Sequence, residues 1–402
     1  MEQKPKAGWG KGIKAAVAVV ILAGVYTLGV SVGNGTISFG ETTNKTLNSS
    51  LPNQPDYSSI NKVYDALKDN YDGKLTEQQI EDGLKHGLAE SANDPYTVYF
   101  TQKEAKDFSD QLNNSFAGIG ARLSKDSDGY LVIGEAIEGF PAQKAGLQSQ
   151  DIISKINGND ATKLTLDDAI TKIRGPIGTQ VKLEVVRDHA QTLDFTITRQ
   201  EIKLPSVTTK TLDNNIGYIQ ISSFGSDTSD LTKKAAEQFK TQNVKGIVLD
   251  LRDDPGGLLN AAEDVSSIWL PKGKTILQEK RGTTVEDTSY ANGNDTLNGV
   301  PTVVLINGGS ASASEITAGA LHDNKAAYLI GEKSYGKGVV QQLINFKDGS
   351  QLKVTVASWY RPNGQNINKK GINPDKTVKL SADDAKTSND TQLKAAQDYL
   401  NK

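Results

Sequence analysis

The sequence predicts an α/β core domain preceded by a smaller strand-rich α+β module and a short helical segment, and three observations predict it. From Ile216 onward the runs GYIQIS, GIVLDL, TVVLIN and AYLIG are almost continuously apolar and alternate with helical stretches at 228–242, 259–268 and 312–321, as strands buried on both faces of a sheet do. Between Phe116 and Ile202, short strand-like runs at 118–123, 130–133, 151–156, 180–186 and 192–198 surround helical stretches at 141–145 and 166–173, the make-up of one compact module. The chain has 402 residues, 36% hydrophobic and 23% charged, which suffices for two or three cored domains and excludes a mainly disordered chain.

The elements follow in order. Lys4, Lys6, Lys11 and Lys14 precede an uncharged run, 15–33. As a helix rising about 1.5 Å per residue, that run matches the roughly 30 Å hydrocarbon core of a bilayer. The basic flank stays cytoplasmic, so 1–33 reads as a cytoplasmic stub and single transmembrane anchor in the cell membrane, with everything after Gly33 extracytoplasmic. The competing reading is a signal peptide cleaved at Ser31-Val32-Gly33, and export follows from either. Residues 34–56 are rich in Asn, Ser, Thr, Gly and Pro, a flexible stalk. In 57–115 helical spacing places Ile60, Val63, Tyr64 and Leu67 on one face and Ile80, Leu84 and Leu88 on another, until Asp94-Pro95-Tyr96 breaks it. The α+β module occupies 116–202 and the core 203–380; the tail, 381–402, is polar with one helix at 391–400.

Several function classes are excluded. A net charge of −3 gives no basic field for nucleic acid. With no cysteine and three dispersed histidines, His86, His189 and His322, neither thiolate chemistry nor a His/Cys metal site is expected, and no metal or cofactor is implied.

Chemistry concentrates in two places. The apolar strand ending at Ile306 runs through Asn307-Gly308-Gly309 into Ser310-Ala311-Ser312-Ala313-Ser314-Glu315, where a helix begins. A serine at such a strand-to-helix turn lies at the sheet's carboxyl edge beside helix-start amides, the place for a nucleophile; the alternative is that these serines only cap the helix, with Glu315 in its first turn. A hydroxyl nucleophile needs a base, and no histidine is well placed. Lys337, between Gly336 and Gly338, serves if burial strips its proton; the alternative is an exposed loop lysine.

The SASASEITAGALHDN and GEKSYGKGVVQ segments together resemble the active-site region of the carboxyl-terminal processing peptidases, or tail-specific proteases. The resemblance implies that Ser312 is the nucleophile, that Lys337, 25 residues later, is its base, and that Gln341 orients the lysine. It further implies a ClpP/crotonase-like ββα protease core, with Ser310 and Ser314 as capping or packing residues. The segment GIVLDLRDDPGGL resembles the family's strand and Pro-Gly-Gly turn, whose amides suit an oxyanion hole; the Gly257 amide, ahead of that of Gly256, is the expected donor together with that of Ala313. Asp254 stands where the family usually has Asn. The 116–202 module resembles a bacterial PDZ domain, with Phe116, Gly118, Ile119, Gly120 and Ala121 in its carboxylate-binding loop, Gln150-Asp151 where Gly-Asp is usual, and Arg174 as the arginine coupling the module to the protease site.

The expectation is thus a membrane-anchored serine endopeptidase that binds exposed C-terminal tails of proteins or peptides in its PDZ groove and cuts near them through an acyl-enzyme. The rival is a catalytically silent PDZ receptor or chaperone; an α/β hydrolase of small esters lacks its Gly-x-Ser-x-Gly elbow. By analogy with relatives, 57–88 and 391–400 are candidates for assembly into a homo-oligomer.

Overall fold

The computed structural model describes residues 56–380 and 389–402, in two units that divide between Leu75 and Thr76. The expected anchor at 15–33 and most of the stalk lie outside the described residues; among the described residues no helix is long and apolar enough to cross a membrane. What is described of the first unit is chiefly α1 (Ser58–Asn70), whose Ile60, Val63, Tyr64 and Leu67 are exposed.

The second unit opens with α2 (Glu77–Glu90), where Thr76 caps the helix by accepting from the Gln79 N–H, as a Thr-x-x-Gln capping box does. The Asp94-Pro95-Tyr96-Thr97 turn leads to β1 (Val98–Phe100) and α3 (Gln102–Leu112). The α+β module follows as β2 (Ser115–Gly118), β3 (Ala121–Lys125), β4 (Leu131–Ala136), α4 (Pro141–Ala145), β5 (Ile152–Ile156), β6 (Asn159–Asp160), α5 (Leu166–Ile173), β7 (Gln180–Arg187), β8 (Gln191–Thr198) and β9 (Gln200–Lys203). Its antiparallel sheet runs β3-β4-β5-β7-β8, and alternate strand residues such as Val181, Leu183 and Val185 enter its own core. The single strand expected at 118–123 is two. Gly120 takes φ +73°, which breaks the extended backbone, so β2 pairs with β9 and β3 with β4. Gln150 takes φ +71°, the left-handed backbone for which glycine is the usual choice at that turn, and Asp151 beside it is buried against Arg187 at 2.7 Å.

The core comprises β10 (Val207–Leu212), β11 (Ile216–Ile221), α6 (Thr228–Thr241), β12 (Gly246–Asp250), α7 (Leu259–Ser267), β13 (Thr275–Arg281), β14 (Thr284–Tyr290), β15 (Thr302–Ile306), α8 (Ala313–Asp323), β16 (Tyr328–Gly331), β17 (Val339–Asn345), β18 (Gln351–Tyr360), β19 (Lys376–Thr377) and α9 (Thr391–Leu400). One sheet is ordered β10-β11-β12-β15-β16-β19 and is parallel from β11 onward. Its continuous apolar runs are explained by cover on both faces. Ile247, Leu249, Val304 and Ile306 face a cluster that includes Phe239, Val265 and Ile316, while Val248, Val303 and Leu305 face Ala395 and Ala396 of α9. Arg252 fixes α9 by ion pairs to Asp250 and Asp390 and a hydrogen bond to Gln392.

A second, antiparallel sheet of β1, β18, β13, β14 and β17 was not expected from the sequence. Its strands are mostly half-buried and polar, so they lack the apolar runs that betray the parallel sheet. The loop that carries Lys337 enters this sheet at β17.

Candidate active site

The nucleophile candidate stands at the carboxyl end of β15. Ser312 has φ 53° and ψ −113°, a backbone that a non-glycine residue adopts only when its surroundings enforce it. They do so from three sides. Ser310 is buried, its Oγ donating to Leu251 O at 2.7 Å and accepting from the Asn307 N–H at 3.0 Å. Ala311 N–H and Ser314 Oγ both donate to Asp254 O, at 3.0 and 2.9 Å. Glu315 Oε2 accepts from the Ser312 N–H at 3.0 Å. Ser310 and Ser314 are therefore packing residues, and Ser312 is left facing the cleft.

The neighbouring strand β12 ends in the Asp254-Pro255-Gly256-Gly257 turn. Gly257 takes φ +152°, and a Cβ there would lie 2.2 Å from Phe224 O, so only glycine fits. The Gly256 N–H is spent on Asp254 Oδ1 at 2.8 Å. Among the described residues neither the Gly257 nor the Ala313 N–H donates to any acceptor, and both residues line the cavity that Ser312 lines. Two free amides thus flank the serine, as an oxyanion requires.

Lys337 lines the same cavity, about 290 Å³ in volume. Its loop is held by backbone: Trp359 Nε1 donates to Lys337 O at 2.9 Å, and Glu315 accepts from Gly336 N–H at 2.7 Å and Lys337 N–H at 2.9 Å. At Gly338 a Cβ would lie 2.5 Å from Asn368 N, which is why glycine flanks the lysine. Burial lowers the Lys337 pKa, and the Lys353 cation lowers it further, against the opposing pull of Glu315 and Asp94. The neutral amine that a base must be is thereby favoured. Ser312, Lys337, Gln341, Gly257 and Ala313 all line this one cavity. Yet among the described residues no hydrogen bond joins Ser312 to Lys337, or Lys337 to Gln341. Lys337 Nζ stands 5.2 Å from the centroid of the Tyr96 ring, and Gln341 Nε2 donates to Thr355 Oγ1 at 3.4 Å.

In the α+β module, β3 pairs with β4 alone, leaving an open edge with α5 packed beside it. Phe116 lies within β2 and Gly118 ends it, Ile119 and Gly120 form the turn, and Ala121 starts β3. Arg174, at the end of α5, lies 4.8 Å over the Phe116 ring. The open edge and the expected carboxylate-binding turn are therefore contiguous.

Glu315 exceeds the role the sequence suggested for it. Besides capping α8 it is fully buried and accepts from Ser334 Oγ at 2.5 Å as well as from three N–H groups, joining the serine turn to the lysine loop. The Ser-x-x-Glu spacing signalled the cap; nothing local signalled residues 334–337. Lys353, which lines the cavity, and Tyr96, whose ring faces Lys337, were likewise missed, since strand pairing across some 250 positions brings them together (Val98 pairs with Lys353).

Comparison with known proteins gives the chain a family. Residues 215–378 match the model of Peptidase family S41, and residues 132–187 match that of the PDZ domain. The chain is 38% identical to the carboxy-terminal processing protease CtpA of Bacillus subtilis (strain 168) over 355 residues, covering 86% of this chain and 76% of that one. It is 37% identical to a probable CtpA-like serine protease of Staphylococcus aureus (strain COL) over 332 residues, 81% of this chain and 66% of that protein. Among solved structures, a photosystem II D1 C-terminal processing protease superposes with a TM-score of 0.50 at 29% identity, covering 80% of this chain and 87% of the other.

Proposed function

The chain belongs to peptidase family S41, among the carboxy-terminal processing serine proteases with a PDZ domain, and from that premise we propose that it is a membrane-anchored, extracytoplasmic endopeptidase that takes up protein C-terminal tails and cuts near them with a Ser312/Lys337 dyad. The observation that carries the dyad is the convergence on one cavity of Ser312, a half-buried Lys337 and the two undonated N–H groups of Gly257 and Ala313.

In the proposed reaction neutral Lys337 takes the Ser312 proton as Oγ attacks the scissile carbonyl. The Gly257 and Ala313 amides hold the resulting oxyanion. The lysine returns the proton to the leaving amine, the acyl-enzyme forms, and water activated by the again neutral lysine releases the second product. Gln341 orients the amine once Lys337 turns toward Ser312. A client's tail would add as a strand to the open edge of β3, its carboxylate on the N–H groups of the 119–121 turn, and Arg174 would relay occupancy from Phe116 toward the protease site. Export and anchoring rest on the basic flank and the apolar run 15–33.

The test is cleavage of an unfolded reporter protein by the full chain in detergent, beside Ser312→Ala and Lys337→Ala, with and without chelator. Both variants are expected to lose at least about 10³-fold in kcat/KM, and chelator to change nothing. A Lys337→Ala enzyme retaining a tenth of the parent rate would end the dyad reading. Binding of C-terminal peptides by a parent that never cuts would favour the silent receptor.

A further inference from the structure

The Asp94-Pro95-Tyr96-Thr97 turn is far from Lys337 in sequence and is fastened to β18, the strand that pairs with β17 after the Lys337 loop. Asp94 Oδ1 accepts from the Tyr96 N–H at 3.2 Å, and Asp94 Oδ2 accepts from Thr97 Oγ1 at 2.7 Å. Thr97 Oγ1 in turn accepts from the Thr355 N–H at 3.2 Å, and β1 continues the attachment by pairing Val98 with Lys353 and Tyr99 with Leu352. Tyr96 is therefore clamped at both ends, half-buried, with its ring face 5.2 Å from the Lys337 ammonium nitrogen.

An aromatic face attracts a cation through its quadrupole and holds a neutral amine far more weakly. Resting on the present reading of Lys337 as the base, we propose that Tyr96 is a positioning residue for it: the ring holds the protonated lysine aside from Ser312 and lets it go when the amine becomes neutral. The position of the lysine and its readiness as a base are thus coupled, because the state that cannot take a proton is the state the ring retains. The other charged and titratable groups acting on Lys337 are Lys353 from β18, Glu315 from α8 and Asp94 from the turn itself, and Tyr335 lies beside Tyr96. Removing the ring changes none of these charges. It removes one stabilisation of the ammonium, so the lysine should deprotonate at lower pH.

The experiment is the pH profile of kcat/KM for the full chain and its Tyr96→Phe and Tyr96→Leu variants, with Lys337→Ala alongside. Phe keeps the π face, so its acid limb should coincide with that of the parent. Leu removes the face, and its limb should move down by about half a unit to one unit. A trifluorinated phenylalanine at position 96 keeps the shape and weakens the quadrupole, so it should also shift the limb down, and it decides the matter should the Leu variant not fold. An unmoved limb in both the Leu and the fluorinated enzymes overturns the proposal, as does a Phe variant shifted as far as Leu. If Lys337→Ala stays active, the dyad reading and this one fall together; if it is dead and only the limb is unmoved, this one falls alone.

Discussion

Two neighbouring turns, after β12 and after β15, each bury a carboxyl group beside the catalytic cavity, and the protein treats the two in opposite ways. Glu315 is fully buried and given four donors from two segments of chain. Asp254 is fully buried too, with one donor on Oδ1 and no partner for Oδ2 among the described residues. Burial raises the pKa of both. In both, burial outweighs the hydrogen bonds that oppose it; Glu315 has four such bonds, and the more sparsely partnered Asp254 carboxyl is pushed up to about 7. A buried carboxylate is tolerable when its hydration is replaced by fixed donors and otherwise keeps its proton. Glu315 is consequently a fastener between the Ser312 turn and the Lys337 loop, whereas Asp254 is a group poised to change charge near neutral pH, three residues before Gly257.

The largest effect should come from breaking the fastener. Glu315→Ala strands the Ser334 hydroxyl and three N–H groups in the interior, each costing about 1–3 kcal/mol when left unpaired. It also frees the 334–337 loop from the serine turn. Thermal unfolding should drop by several degrees or more and kcat/KM by at least about 10²-fold, a loss expected when reacting groups lose their mutual placement. A variant that folds stably and keeps half the parent rate would show that the carboxylate only caps α8.

Next is the charge at Asp254. The folded carboxyl keeps its proton up to about 7, while in the unfolded chain it ionises near 3.8. The folded state therefore binds more protons between those values, and stability from this group is full below about 4, falls as pH rises, and is gone above about 7. At 1.36 kcal/mol per pKa unit the span is at most about 4 kcal/mol. Asp254→Asn cannot ionise and keeps an acceptor for the Gly256 N–H, so its melting temperature should decline less than that of the parent between pH 5 and pH 8. Parallel melting curves across that range would mean that Asp254 is ionised throughout.

The same pair of turns marks where sequence reading succeeded and where it stopped. The strands behind them were legible because both faces are apolar, and Ser312 stood out because the turn after β15 joins such a strand to a helix. Glu315 was legible as a cap, since a cap is written within four residues, but not as the partner of Ser334, Gly336 and Lys337. Asp254 was noted as a departure from the family's Asn without the burial that gives the departure its consequence. The antiparallel sheet was illegible because, although 351–356 alternate polar and apolar residues, its partners β1 and β13 lie far away in the sequence, and with it went the placement of Tyr96 and Lys353. The separation of β2 from β3 turned on the backbone of one residue, Gly120. What failed to show were contacts between distant segments, and the polar half of the catalytic site is made of them.

The smallest expected effect comes from the like charge of Lys353 near Lys337. Glu315 raises the Lys337 pKa and Lys353 lowers it, while Asp254 is not among the groups acting on it. Lys353 sits over the rings of Phe100 and Phe108, at 5.3 and 4.9 Å, and burial lowers its own pKa. Lys353→Met keeps the stem against those rings and deletes the like charge. The Lys337 ammonium then becomes easier to keep, its pKa rises toward the ordinary lysine value, and the acid limb of kcat/KM moves to higher pH by a few tenths of a unit, the scale of a screened interaction between half-buried charges. Added salt should shrink the difference between parent and variant. A limb that moves down, or a difference that salt leaves untouched, would place the effect of Lys353 in packing and leave burial as the dominant cause of the base's neutrality.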